Sequence, residues 1–184
     1  MADKIAKIEV RVRELAQLFN SMDPSPFLDR DLDADAEEFI VTWAREHPTD
    51  HELELVIHLQ GMPPDERAAG IETAVRHYFA MRAQMKRREF NVLMRHGRQS
   101  LLIGLSFLAG CLTLGHFVPQ WLPEATAEIV RESLTILGWV AMWRPLQLYL
   151  YDWWPVREDQ LLLGRLSRMR VHLVLPKPPP PVPI

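Results

Sequence analysis

The chain contains one run of 19 residues, Ser100 to Val118, without a lysine, arginine, aspartate or glutamate. A helix rises about 1.5 Å per residue, so a run of this length matches the roughly 30 Å hydrocarbon core of a bilayer. A second apolar run, Ser133 to Trp154, begins after a gap of 14 residues. We therefore predict two transmembrane helices, at 100–118 and 129–151, joined by an external loop at 119–128.

Positive charge flanks this predicted hairpin on both outer sides. The intervening segment 119–132 instead carries three glutamates and one arginine. Segments rich in lysine and arginine stay on the cytoplasmic side, so both termini are predicted to be cytoplasmic and the protein to be multi-pass in the plasma membrane. The basic residues before the first span are Lys86, Arg87, Arg88, Arg95 and Arg98; those after the second span are Arg157, Arg165, Arg168 and Arg170.

Charge is strongly segregated along the chain. Residues 1–75 hold 17 acidic and 7 basic side chains, whereas residues 76–98 hold 1 acidic and 7 basic ones. Binding to nucleic acid needs positive charge, so the acidic part is not expected to bind it. The basic part is expected to contact a bilayer with anionic headgroups. The single cysteine, Cys111, excludes an intrachain disulfide and fits a reducing compartment.

Residues 1–75 are predicted to form an acidic cytoplasmic α/β domain. Apolar and charged residues alternate over 7–13, which predicts a strand to about residue 12 and a short helix at 13–20, although a helical heptad also fits this segment. Asp33 or Asp35 is expected to cap a helix that ends at His47-Pro48. The alternation of Glu52 to Leu59 predicts a second strand.

A long helix is predicted from about Asp65 to His96, so that segment 65–98 forms a basic juxtamembrane stem with Gly97 as a hinge at the membrane surface. The element order is then β-α-β-α. Two strands joined by a crossover helix lie parallel, which predicts an α+β fold with a small parallel sheet. Because a two-stranded sheet is marginal, we expect the domain to bind a second copy of itself or another membrane protein.

The second apolar run is interrupted by Arg144-Pro145. Arg144 lies either near mid-depth or, as the neighbouring aromatic residues favour, at the headgroups. Pro145 is expected to kink the helix, since proline lacks a backbone N–H. Ser106 and Gly110, four residues apart, are expected to pack helices together with Pro145. The predicted interfacial residues of this region are Trp143, Arg144, Trp153 and Trp154.

The patterns that resemble metal sites are incomplete. Aspartates alternate from Asp29 to Asp35 as in a calcium loop, but Ala34 and Ile40 occupy the positions that need glycine and glutamate. His47 and His51 are separated by Pro48 and have no third ligand nearby. We therefore predict no metal site, no cofactor and no catalytic residue. An interfacial segment at 152–174 and an extended proline-rich tail at 175–184 complete the chain.

Two stretches resemble an uncharacterised bacterial family of small two-span inner-membrane proteins. The first runs from Arg13 to Phe27 and continues through Glu38 to Ala44. The second runs from Gly138 to Pro145 and continues through Tyr151 to Pro155. The resemblance implies a bacterial inner membrane and carries no activity.

The favoured function is a membrane-anchored interaction or scaffold protein that forms oligomers and whose acidic domain binds partners. One alternative is a membrane enzyme or transport component that acts on a lipid or an ion through Arg144 and Asp152, with His116 nearby. A second alternative is a regulator that senses anionic lipid through the basic stem.

Overall fold

The computed structural model describes residues 5–60, 65–117 and 123–175, with side chains throughout except at 65–69. The fold is mostly helical, and the chain divides into two units. Unit 1 comprises the residues up to Met85 and those from Asp159 onward, and unit 2 comprises Lys86–Glu158. The elements are β1 (Ile5–Val12), α1 (Ala34–Glu46), β2 (Glu52–Leu59), α2 (Asp65–Phe117), α3 (Glu124–Gln147), a π-helix (Leu148–Asp152), α4 (Trp153–Leu166) and β3 (Arg170–Val174).

Unit 1 contains a parallel sheet with the strand order β1-β2-β3. In its register Ile8 lies opposite Leu55, and Leu55 lies opposite Val171. The parallel pairing of β1 with β2 confirms the prediction from the crossover helix. The third strand was not predicted, because its residues were assigned to an interfacial segment. The sheet therefore has three strands rather than the predicted two, and β3 of the same chain supplies the third.

The core of unit 1 lies on one face of this sheet. Alternate residues of all three strands are buried there against α1, the first part of α2 and α4. A fully buried aliphatic or aromatic side chain contributes roughly 1.5–3 kcal/mol, so this face provides the main stabilisation of the unit. Residues with no more than 1% exposure include Ile8, Leu55, Ile57, Phe79 and Leu166.

Helix α1 begins where its acidic residues predict. Asp33 is the N-cap, and its Oδ1 accepts a hydrogen bond from the Asp35 N–H at 3.1 Å. The helix ends at Glu46, directly before His47-Pro48, because the residue before proline is disfavoured in the helical region. These boundaries confirm both predicted signals. The predicted short helix after β1 is a single 3-10 turn, Leu15–Gln17.

The predicted fold class, a β-α-β-α domain followed by a two-helix transmembrane hairpin, is wrong. The C-terminal segment returns to the sheet as β3. Among the residues that the structure describes, one helix, α2, is long and apolar enough to cross a membrane. Helix α3 carries charged residues in its first nine positions and near its end. Its longest run without charge is Ser133 to Trp143, which is too short to cross a bilayer. Its charged residues are Glu124, Glu128, Arg131, Glu132 and Arg144.

The predicted hinge at Gly97 is also wrong, because α2 is one helix from Asp65 to Phe117. Gly97 instead permits a close approach of the chain after α3. A β-carbon at this position would lie 2.7 Å from Cδ2 of Leu148 and 3.4 Å from the hydroxyl of Tyr149. The basic stem and the first apolar run are thus parts of one continuous element. Of the remaining boundaries, part of the loop 119–128 and most of the tail 175–184 lie outside the described residues.

Candidate membrane-embedded surface

Unit 2 is built on an antiparallel contact between α2 and α3. Gly104 faces Ala141, and Gly115 faces Arg131, so the chain direction reverses between the two helices. A β-carbon on Gly104 would lie 3.1 Å from the carbonyl oxygen of Ala141. Cys111, almost fully buried, lies 3.4 Å from the corresponding position on Gly138. Small residues therefore line the contact, as they do where helices approach closely.

The outward surface of unit 2 is apolar. The most apolar 18-residue stretch of α2 has a mean hydropathy of 1.7, and only 17% of that stretch is buried within the chain. Large exposed apolar patches mark interfaces with a membrane or a protein, because water does not solvate them favourably. The surface includes Leu102, Ile103, Phe107, Leu114, Ile136, Trp139, Val140, Trp143 and Trp154, all at least half exposed.

The three predicted helix-packing residues do not share one face. Pro145 is buried in the contact, with its Cγ 3.6 Å from the β-carbon position of Gly104. Ser106 and Gly110 are exposed, and a β-carbon on Gly110 would meet no atom within 4 Å. The glycines that do contact α3 are those at 104 and 115. Sequence spacing alone did not separate these two sets, because glycines lie on both sides of α2.

The predicted interfacial residues of this region flank the π-helix, with Trp143 and Arg144 near the end of α3 and Trp153 and Trp154 at the start of α4. The Arg144 guanidinium is 3.4 Å from the Asp152 carboxylate, and its side chain is 67% exposed. Trp143 is 73% exposed, and the Trp153 indole N–H donates to the Tyr149 carbonyl at 2.8 Å. The structure therefore brings Arg144 and Asp152 together. His116 is not part of this cluster. Gly104 lies beside Ala141 and Pro145, close to Arg144 in sequence, and His116 is 12 residues, about 18 Å, further along α2.

The basic residues predicted to precede the first span lie on α2 in two groups, at 86–88 and at 95–98. The Lys86 ammonium is 3.0 Å from the Glu89 carboxylate. Arg87 and Arg88 are exposed, as are Arg95 and Arg98, and the latter two line a groove of about 560 Å³. These residues are followed at Ser100 by the uncharged part of the helix.

One face of the unit 1 sheet is polar and uncovered by any described element. Parallel sheets are ordinarily covered on both faces, so this arrangement is unusual. Side chains of neighbouring strands meet across the face: the Arg170 guanidinium is 2.9 Å from the Glu52 carboxylate, and the His172 imidazole is 3.6 Å from the Glu54 carboxylate. The alternation of β1 and β2 predicted charged outward residues, but only β3 completes the face. Its charged and histidine side chains are Lys7, Glu9, Arg11, Glu52, Glu54, His58, Arg170 and His172.

Two exposed aromatic rings of α1 adjoin this face. The rings of Phe39 and Trp43 are tilted against each other by 43° at a centroid distance of 5.9 Å, and each residue is more than 40% exposed. They line a groove of about 550 Å³ together with Lys7, Glu9 and Arg11. Helical spacing alone predicts that both rings share one apolar face of α1 with Ile40 and Ala44, which are buried. The two rings lie instead beside the edge strand β1, where aromatic rings favour contact with a partner.

A carboxylate of α1 binds two side chains of α2. The Glu37 carboxylate accepts hydrogen bonds from the Tyr78 hydroxyl at 2.6 Å and the Arg82 guanidinium at 2.9 Å. Burial, and next the hydrogen bond to Glu37, raise the pKa of the Tyr78 phenol well above its ordinary value of 10. Tyr78 therefore stays neutral and acts as a donor, which makes this cluster a structural link between the two helices.

Comparison of the chain with protein-family models, with curated proteins and with solved structures finds no match. The resemblance to a bacterial two-span family therefore stays a prediction. Among the described residues, no three histidine, cysteine, aspartate or glutamate side chains are grouped so as to hold a metal ion.

Proposed function

We propose that this protein is a membrane-anchored interaction protein. The outward apolar surface of unit 2 contacts the hydrocarbon of a bilayer, with α2 as the spanning helix, and unit 1 presents its polar sheet face, with the adjoining Phe39 and Trp43, to a protein partner. The observation that carries the proposal is the outward apolar surface of unit 2. A water-exposed surface of this kind would aggregate, whereas a bilayer solvates it.

The same side of the bilayer is proposed for both segments that flank unit 2. Support comes from the sheet: β3 pairs with β2, so the chain that leaves unit 1 at Met85 returns to it at Asp159. A bilayer cannot separate strands that are hydrogen-bonded in one sheet. The five basic residues between 86 and 98 favour the cytoplasmic side, in a bacterium the inner face of the plasma membrane.

The sheet face is the proposed partner-binding surface for two reasons. It carries charged and histidine side chains that no described element covers, and the groove beside it combines exposed aromatic rings with charged residues of β1. Aromatic residues are enriched at protein interfaces because each buries a large area with little loss of side-chain entropy. The proposed partner is either a second copy of the chain or a different membrane protein.

Membrane insertion is tested by washing vesicles with alkaline carbonate and by measuring quenching of tryptophan fluorescence by brominated acyl chains. The protein is expected to stay with the vesicles, with Trp139 and Trp143 among the quenched residues. Release by carbonate, or tryptophan emission that brominated lipid leaves unchanged, would overturn the proposed immersion of unit 2.

The partner surface is tested by placing a photo-crosslinking residue at His172 in the full chain within native membranes. We expect one discrete adduct, at twice the 21.4 kDa mass for self-association or at another mass for a different protein. Lys7→Glu with Arg11→Glu should abolish the adduct, and Glu46→Lys, at the exposed end of α1, should not. Absence of an adduct, or equal yields in all variants, contradicts the proposed surface.

A further inference from the structure

A groove of about 560 Å³ in unit 2 is lined by two arginines of α2 and by a tyrosine of the π-helix. Arg95 and Arg98 are three residues apart, so they project from one face of α2. Tyr149 lies across from them, and Asn91 and Met94 complete the lining. The lining residues include no acidic side chain. The groove is therefore a positively charged recess with a phenol and an amide as further hydrogen-bond donors.

Local geometry holds Tyr149 in this position. Gly97 lies between the two arginines in sequence, and its lack of a side chain admits the side chain of Leu148, whose Cδ2 would be 2.7 Å from a β-carbon there; the neighbouring Tyr149 ring lies against the same position at 3.4 Å. The Trp153 indole N–H binds the Tyr149 carbonyl oxygen at 2.8 Å and so fixes the backbone of the π-helix. Segments of π-helix occur frequently at functional sites. The groove is thus a product of specific packing between α2 and the residues after α3.

The two guanidinium groups of the groove have no carboxylate partner among the described residues. In the part of the chain that the structure describes, neither Arg95 nor Arg98 is ion-paired or hydrogen-bonded through its guanidinium. The nearby Lys86, in contrast, is ion-paired with Glu89. Guanidinium groups match the planar forks of phosphate oxygens, and two adjacent ones favour a bound anion.

The position of the groove along α2 indicates the source of that anion. Arg98 is two residues before Ser100, where the uncharged stretch begins. If unit 2 is immersed in the bilayer, as in the proposed function, this level corresponds to the headgroups. We infer that the groove binds the phosphate of an anionic phospholipid headgroup. Basic pockets between helices at the cytoplasmic surface are known to bind such groups.

The test is native mass spectrometry of the detergent-solubilised full chain, titrated with phosphatidylglycerol, with phosphatidylcholine or with inorganic phosphate. One phosphatidylglycerol is expected to bind in preference to phosphatidylcholine. Arg95→Gln with Arg98→Gln should weaken this binding about thirtyfold, since each basic residue near an anionic headgroup contributes roughly fivefold. Tyr149→Phe should weaken it by a smaller factor.

The matched control is Arg87→Gln with Arg88→Gln, which removes the same charge from exposed residues of α2 outside the groove. We expect this variant to bind phosphatidylglycerol as the unmodified protein does. Equal weakening in both double variants, equal binding of both lipids, or displacement of the lipid by an equimolar concentration of inorganic phosphate would each overturn the inference. Release of the protein by carbonate contradicts the proposed function instead, so the two failures are distinguishable.

Discussion

The carbonyl oxygen of Ala141 lies 3.1 Å from the position that a β-carbon would occupy on Gly104. Pro145, four residues after Ala141, has no N–H with which to bind this carbonyl. This oxygen therefore lies against the backbone of the neighbouring helix at a position where glycine, which has no β-carbon, avoids a close contact. The loss of a backbone hydrogen bond at Pro145 and the absence of a side chain at Gly104 thus act at the same contact. Together they allow α2 and α3 to approach closely.

Replacement of Gly104 by leucine is expected to destabilise unit 2 by about 1–3 kcal/mol, because the side chain would collide with Ala141 and with the Met142 sulfur. In detergent this corresponds to a fall in the thermal midpoint of roughly 2–12 °C by circular dichroism. Gly110→Leu is the matched control, since the space around Gly110 is empty within the chain. Equal losses in the two variants would contradict the described helix contact.

Acid is expected to weaken unit 1 through Asp23. Hydrogen bonds from the Asp31 N–H and from Ser25 lower the pKa of the Asp23 carboxyl to about 2, from 3.8. A lowered folded-state pKa stabilises the protein above pH 3.8, and this contribution is lost as the pH falls towards 2. Asp23→Asn should therefore lower the unfolding temperature at pH 6 but not at pH 2. Glu46→Gln, at an exposed residue, should have no effect at pH 6; an Asp23 effect independent of pH would be evidence against this account.

The register of β3 can be tested by disulfide trapping. Val56 and His172 are Cα partners in the parallel pair β2–β3, so cysteines at both positions should oxidise readily in a Cys111→Ala background. His58→Cys with Arg170→Cys is the control, because Arg170 pairs with Glu54, about 13 Å from residue 58 along the strand. A shift in electrophoretic mobility before reduction reports the bond. Oxidation of the control pair alone would show that the strand has another register.

Arg165 is expected to stabilise unit 1 by holding α4 to the turn before β2. Its guanidinium donates to the Pro48 carbonyl at 2.9 Å and to the His51 carbonyl at 3.0 Å. Arg165→Ala should cost about 1–3 kcal/mol of unfolding free energy, and Arg165→Lys should recover only part of it. Arg168→Ala removes an exposed arginine of the same segment and should change stability by less than about 0.5 kcal/mol. Chemical denaturation measures both; matching losses would refute the assigned contacts.

The sequence by itself determined the local elements of unit 1 and the position of the uncharged run. Strands β1 and β2 follow from alternation, and α1 follows from the Asp33 cap and from Pro48. These signals lie within a few residues of the structure that they specify. The sequence also places Arg95 and Arg98 just before the apolar run, but it did not predict that Tyr149 lines a groove with them.

The tertiary structure alone decided where β3 belongs, whether α2 continues through Gly97 and which glycines face α3. Strand β3 is five residues long and begins at Arg170, two residues after Arg168, and its partner β2 lies more than a hundred residues earlier. Gly104 and Gly110 have similar sequence surroundings, yet one is covered and the other open. Such differences depend on how distant surfaces pack, and local propensity contains no information about that.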